Sequence, residues 1–298
     1  MIMSCCKLDL KVYPKTVYTD LAGLPDPILL GLTIHYYNHS DQSLYMKIFI
    51  SGPSPWSPNA VELGSLGSGS NAYKNLDNFT SRTKPSQETT EELTLTLRGY
   101  NDSGYSELKY EFSRSLTVVF IKSDDGSWTT DINNNFDDGT VQGWSAIAEL
   151  RGVASLGVAT DYVLSPPYSL CLHSHCEFEY ECVEQEVRHR IEKAFTTPNK
   201  SKVYAVMNIR VSSGTGPVGS TKYVEVRTAS ATLIHLGKLY VNDIVDYIPV
   251  GKWMRIVIPL PSNASVTIQI AVDRRGSTFG YGLYGAYLWL DDFKIISK

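Results

Sequence analysis

The chain has 298 residues, 43% of them apolar and 19% charged, with a formal net charge of -4. That length suits two domains, and that apolar share can fill real cores, which excludes an intrinsically disordered chain. The acidic balance, with no basic run or patterned basic helix, argues against nucleic acid or an anionic membrane as the main partner.

The opening MIMSCCKLDLKV has neither a basic n-region nor a long apolar h-region, so no signal peptide is evident. No apolar run reaches the length of a membrane span. These features fit an intracellular chain, one whose leader has been removed, or a virion component. Five cysteines, an odd number, do not make a disulfide scaffold.

From Lys7 onward the predicted elements are strands. LDLKVYP, LLGLTIHYY, LYMKIFI, ELTLTLRGY and SLTVVFI alternate or run apolar for five to nine residues. The turn clusters NHSDQS, GPSPWSP, GSLGSGSN and YNDSGYS separate them. Nineteen tyrosines reinforce the strand reading, because aromatic and β-branched side chains suit a half-buried pleated surface. ETTEELT could form a helical turn, but the threonine-rich alternation after it favours a strand. Residues 1–122 therefore read as an immunoglobulin-like β-sandwich. The polar, turn-rich residues 123–134 read as a linker.

Beyond the linker, YSLCLHS, HRIEKAFTT, KVYAVMNIRV, KYVEVRT, LIHLGKLYV, KWMRIVIPL, SVTIQIAVD and YLWLDDFKI predict eight or so strands over residues 135–298. That number fits a jelly roll with its core between two sheets. The fold class is thus all-β, with two sandwiches.

The order FDDGTVQGW, PPYSLCLHS, IEKAFTTPNKSKVYAVMNIRV, VGKWMRIVIPL and YLWLDDFKI resembles the jelly-roll carbohydrate-binding modules with a galactose-binding-like fold. The resemblance spans roughly residues 134–298. It implies that the first and last strands of the jelly roll are neighbours, that a structural calcium sits where they end, and that the domain binds glycan. The front half looks only generically like immunoglobulin-like surface domains.

The two acidic pairs, Asp137–Asp138 and Asp291–Asp292, would then approach one another. On a strand only one member of each pair faces inward. Carboxylates gathered at one edge require a cation, and hard oxygen donors favour calcium. Asp137, Asp138, Asp291 and Asp292 are therefore candidate calcium ligands, with carbonyl oxygens of Asn134 and Asn135 available. The competing reading makes them turn and strand-end residues bonded to backbone N–H groups. A glycosidase dyad needs two carboxylates roughly 5 to 10 Å apart across an open cleft, which a sheet edge does not offer.

CLHSHCEFEYECVEQEVRH brings Cys171, His173, His175, Cys176 and Cys182 together in sequence, which suggests zinc. The spacings lack C-x-x-C and H-x3-H, so buried thiols and solvated histidines in a hairpin are the plainer account. No G-x-S-x-G, phosphate loop or H-E-x-x-H occurs, so the chain reads as a non-enzyme.

Sugar sites pair flat aromatics with polar side chains. DRRGSTFGYGLYGAY has that composition, which makes Arg274, Arg275, Phe279, Tyr281 and Tyr284 candidate ligand-binding residues, with Trp144 near the same end. The alternative gives those aromatics to covering the sandwich end. Trp253 and Trp289 read as core. Five Asn-x-Ser/Thr triplets, at Asn38, Asn78, Asn101, Asn199 and Asn263, fall in predicted turns. The expected function is a non-catalytic surface or virion protein with a glycan-binding jelly roll on an immunoglobulin-like spacer. The alternatives are an assembly subunit, such as a spike, turret or surface-layer component or a homo-oligomer using the same surfaces, and a glycoside hydrolase accessory.

Overall fold

The computed structural model describes residues 7–22, 28–53, 56–57, 59–81, 85–150, 153–175, 186–211, 220–230, 232–236, 251, 253–275 and 285–298. Its regular elements are strands throughout. The chain divides into two compact units, Met1–Lys122 and Ser123–Lys298.

In the first unit the strands are β1 (Leu8–Tyr13), β2 (Thr16–Asp20), β3 (Ile28–Asn38), β4 (Leu44–Ser51), β5 (Trp56–Ser57), β6 (Ala60–Leu66), β7 (Asn71–Ser81), β8 (Thr89–Tyr100) and β9 (Leu108–Ile121). They form two sheets, β1-β3-β7-β5 and β2-β9-β8-β4-β6. The leading edge strand is interrupted after Tyr13, with β1 in one sheet and β2 running parallel to β9 in the other. That sharing of one strand between two facing sheets is an immunoglobulin-like arrangement. Period-two alternation builds its core. Leu8 and Leu10 of β1, Leu93, Leu95 and Leu97 of β8, and Leu116 and Val118 of β9 all point inward. The threonines between the β8 leucines face out, so the acidic stretch before them is strand, not helix.

Asn38 corrects one expectation. It is fully buried, and its Nδ2 donates to the carbonyls of Gln42, Leu66 and Gly67. Asn38 is therefore a structural clamp and not an exposed glycan acceptor.

In the second unit the strands are β10 (Thr129–Asn134), β11 (Ser145–Leu150), β12 (Val153–Ala159), β13 (Ser169–His175), β14 (Glu186–Thr196), β15 (Val203–Val211), β16 (Ser220–Arg227), β17 (Thr232–Leu236), β18 (Trp253–Pro259), β19 (Ser265–Arg275) and β20 (Gly285–Ser297). One sheet runs β12-β13-β20-β15-β18, with β10 also on β20, and the other runs β11-β14-β19-β16-β17. These are the two layers of a jelly roll. Leu170, Leu172, Met207, Ile209, Leu288 and Leu290 from the first sheet meet Ile191, Phe195, Val224, Ile268 and Ile270 from the second. The second half of the stretch read as linker is in fact β10, paired antiparallel to β20 from Thr129↔Ser297 to Asn134↔Phe293.

β20 carries two neighbours in succession on one edge. Its first half pairs with β13 and its second half with β10. At the changeover the ladder to β15 slips between Val206↔Lys294 and Asn208↔Asp291, and Asp292 takes a left-handed backbone with φ 49°. The acidic pair of the last strand sits in this bulge.

Candidate functional site

The stretch that opens the jelly roll is anchored by its two aromatics. Phe136 and Trp144 are buried, and Trp144 packs edge-on against Phe293 at 5.2 Å and Phe195 at 6.0 Å between ring centroids. Trp144 therefore belongs to the core and not to a ligand edge, because the turn between the two aromatics folds both rings inward. That turn holds Phe136 and Gln142 at positive φ, and Gln142 Oε1 accepts from the Phe136 N–H.

The four aspartates separate into two kinds. Asp137 and Asp138 lie on the exposed tip of that turn. Asn135 Nδ2 donates to Asp137, while the Thr140 N–H and hydroxyl both donate to Asp138 Oδ1 at 2.9 Å. The Thr140 bonds hold the Asp138 carboxyl below its ordinary range. Asp291 is fully buried. Its Oδ2 accepts from the Leu164 and Ser165 N–H groups at 2.8 and 2.9 Å, and its Oδ1 accepts from the Ser165 hydroxyl at 2.9 Å and the Asp292 N–H at 2.8 Å. Asp291 thus pins the 160–168 loop into the gap where β20 changes neighbours. Burial raises its carboxyl above the ordinary range, with Asp292 adding to the effect, although the bonds from Ser165 and Leu164 pull the other way.

A cation already lies among the oxygens at this end. Lys193, on β14, donates from Nζ to Asn134 Oδ1 at 2.9 Å and to the Gln142 carbonyl, and it lies 5.2 Å from the Phe195 ring centroid. Burial lowers its pKa. Among the described residues no three His, Cys, Asp or Glu side chains gather as a metal-binding group. Asp291, with both oxygens taken by N–H and O–H donors, does not offer a calcium ion a free ligand. Replacing Lys193 by Met is expected to cost about 1–2 kcal/mol, the scale of charge-assisted hydrogen bonds lost at a half-buried place. Chemical denaturation reads that loss, and the wild-type melting temperature should stay put on adding calcium or chelator. A calcium-dependent rise would restore the ion to this end of the fold.

A second cluster lies on the outer face of the sheet that holds β13, β20, β15 and β18. Alternation sends Leu172, Leu288, Leu290 and Ile209 to the core, so Cys171, His173, Tyr287, Trp289 and Arg210 take the opposite face. Register lines Cys171, Trp289, Arg210 and Trp253 up across four strands, with His173 beside Tyr287 in the adjoining row.

The rings touch. His173 stacks on Tyr287 at 4.3 Å with planes 4° apart, and Tyr287 continues onto Trp289 at 5.4 Å and 17°. Tyr162, from the loop held by Asp291, tilts over Trp289 at 4.7 Å, and the Arg210 guanidinium lies 4.2 Å from the Tyr162 centroid. Ser169 Oγ donates to the Tyr162 carbonyl at 2.6 Å and fixes that loop a second time.

Tyr162 and Tyr287 are 42% and 37% exposed, although Trp289 beneath them is buried. Three buried donors here have no partner among the described residues: Trp289 Nε1, Arg210 Nε and Asn208 Nδ2. The Cys171 thiol, in the same row, is pushed up to about 12 by burial and by the negative charge of Asp161. Without a metal it is a packed, protonated thiol at neutral pH.

Sequence reasoning assigned Trp289 to the core from its apolar neighbours. It is buried, but on the far side of its sheet. The signal is present in AYLWLDDF, where Leu288 and Leu290 point inward and the alternating Tyr287, Trp289 and Asp291 therefore share the outward face. Arg274 and Arg275 end β19, opposite Val187 and Glu186 of β14. Phe279, Tyr281 and Tyr284 lie outside the described residues, as do Cys176 and Cys182.

No protein-family model matches the chain, and the search of curated proteins gives no match. Solved structures do resemble it. A module named CBM61 in complex with β-1,4-galactotriose is 11% identical, covering 57% of this chain and 99% of that one with a TM-score of 0.38. A second, from work on promiscuous carbohydrate-binding modules of the β-sandwich superfamily, is 12% identical over 97% of both chains with a TM-score of 0.39. A third, the CBM22-1 xylan-binding domain of Xyn10C from Paenibacillus barcinonensis, is 19% identical over 56% of this chain and 94% of that one, with a TM-score of 0.34. All three are carbohydrate-binding modules with a β-sandwich fold. At these identities and scores the strand order described above, and not the likeness, defines the fold of this chain.

Proposed function

We propose that the second unit is a glycan-binding module and that its binding surface is the outer face of the sheet around Tyr287. The stacked and partly exposed Tyr287–His173 pair, continued by Trp289 and Tyr162, carries this reading. Sugar rings offer flat C–H faces that lie on such aromatics, and hydroxyls that take up the polar groups around them. Tyr162, Leu164 and Tyr287 supply three of the four exposed large apolar side chains among the described residues, so apolar exposure concentrates on this face and its loop.

The buried carboxylate closest to this surface in register, Asp291, is committed to holding a loop, which supports binding without catalysis. The first unit acts as an immunoglobulin-like carrier in this account, in a cell-surface or virion setting. No helix among the described residues is long and apolar enough to cross a membrane.

Glycan-array screening followed by calorimetry tests the proposal. Tyr287→Ala is expected to weaken binding about tenfold or more, equivalent to roughly 1.4 kcal/mol, at unchanged melting temperature. Binding that ignores Tyr287, or no binding to any glycan, would count against it. Self-association through this face, with no glycan bound, would favour an assembly subunit.

A further inference from the structure

Arg210 is half-buried, and no ion pair or hydrogen bond to it is found among the described residues. Its guanidinium lies over the face of Tyr162. A guanidinium carries five donors and no acceptor, and it keeps its charge at any physiological pH. Placing one on a partly buried sheet face without a carboxylate is unfavourable unless something else supplies acceptors. The neighbouring orphans repeat the pattern. Trp289 Nε1 lies opposite Arg210 in the ladder and Asn208 Nδ2 one alternation along the same strand, and both belong to residues more than nine-tenths buried. All three unpartnered atoms are donors.

The carboxylate nearest in register cannot answer this charge. Asp291 pairs with Asn208 across the ladder, but its oxygens already accept from Leu164, Ser165 and Asp292. Asp161 is exposed and acts on Cys171 on the other side of β20.

We infer that this face selects an acidic glycan, one bearing a carboxylate or a sulfate. The sugar ring rests on Tyr287 and His173, and the anionic group meets Arg210 beside Tyr162. The inference rests on the glycan-binding reading and narrows it. Planar, bidentate donation from arginine to a carboxylate or sulfate is a strong, geometrically specific contact, and neutral hydroxyls do not balance the charge.

Calorimetry with matched oligosaccharides tests it. Uronate-bearing chains are compared with their carboxyl-reduced counterparts, and sulfated chains with their desulfated ones. The acidic member of at least one pair should bind about tenfold more tightly, and Arg210→Gln should remove that preference while leaving the residual binding to the neutral chain. Which pair responds identifies the anion. The preference of the wild-type protein should also collapse at high ionic strength, a readout that survives if Arg210→Gln does not fold. Equal binding to both members of every pair overturns the inference and leaves the glycan reading standing. A preference that survives Arg210→Gln or is indifferent to salt overturns it as well. Binding to no oligosaccharide overturns both.

Discussion

Replacing Trp144 by Ala is expected to destabilise the second unit by about 3–5 kcal/mol, the range for truncating a large buried aromatic. The ring is 3% exposed and meets Phe293 and Phe195, which themselves stack at 4.9 Å. Phe293 ends the ladder to β10, and Phe195 is on the opposite sheet, so the indole closes the sandwich between its layers. Urea denaturation measures the loss. The surviving folded protein should bind glycan as the wild type does, because the indole lies in the core and not on the aromatic face. Loss of affinity without loss of stability would put Trp144 back in a binding site.

Asp291→Ala should cost about 2–4 kcal/mol, because it leaves the partly buried Leu164 and Ser165 N–H groups without their acceptor, at roughly 1–2 kcal/mol each. It should also weaken glycan binding, since the freed loop no longer fixes Tyr162 over Trp289. Red-shifted tryptophan emission in the folded variant would report that uncovering. Asp291→Asn keeps one acceptor but turns an amide N–H toward a backbone donor, so it should fall between wild type and Ala.

The pH dependence follows from the raised carboxyl. Folding favours its protonated form, so this group's contribution is fully present below the unfolded pKa of about 3.9 and is lost as pH rises through the higher folded value. The deficit of Asp291→Asn relative to wild type should therefore widen as pH falls through that window.

Much of the architecture is legible in residue alternation. Leu93, Leu95 and Leu97 of β8 and Leu288 and Leu290 of β20 each declare a buried face two residues apart. The β10 strand, Thr129–Asn134, was not legible, because TTDINN is almost wholly polar and reads as linker; only its ladder to β20 makes it a strand. What the aspartates do was not legible, because a carboxylate can satisfy backbone N–H groups or a cation with the same sequence signature. The deciding partners, Leu164 and Ser165, lie 127 and 126 residues away in the chain. Lys193 was missed for the same reason, as nothing local marks a lysine whose acceptors are Asn134 and Gln142 on another strand and its turn. The aromatic face was not legible because a tryptophan in an apolar run has the same sequence signature whether it is buried in the core or beneath rings on the outer face.

Indole resonances in proton–nitrogen spectra report whether glycan occupies the outer face around Arg210. The chain has five tryptophans, and Trp289 and Trp253 flank Arg210 on the proposed surface while Trp144 lies in the core. Titration with a bound oligosaccharide should shift the Trp289 and Trp253 indole signals and leave that of Trp144 in place. Saturable binding with Trp289 and Trp253 unmoved would contradict a glycan site on this face.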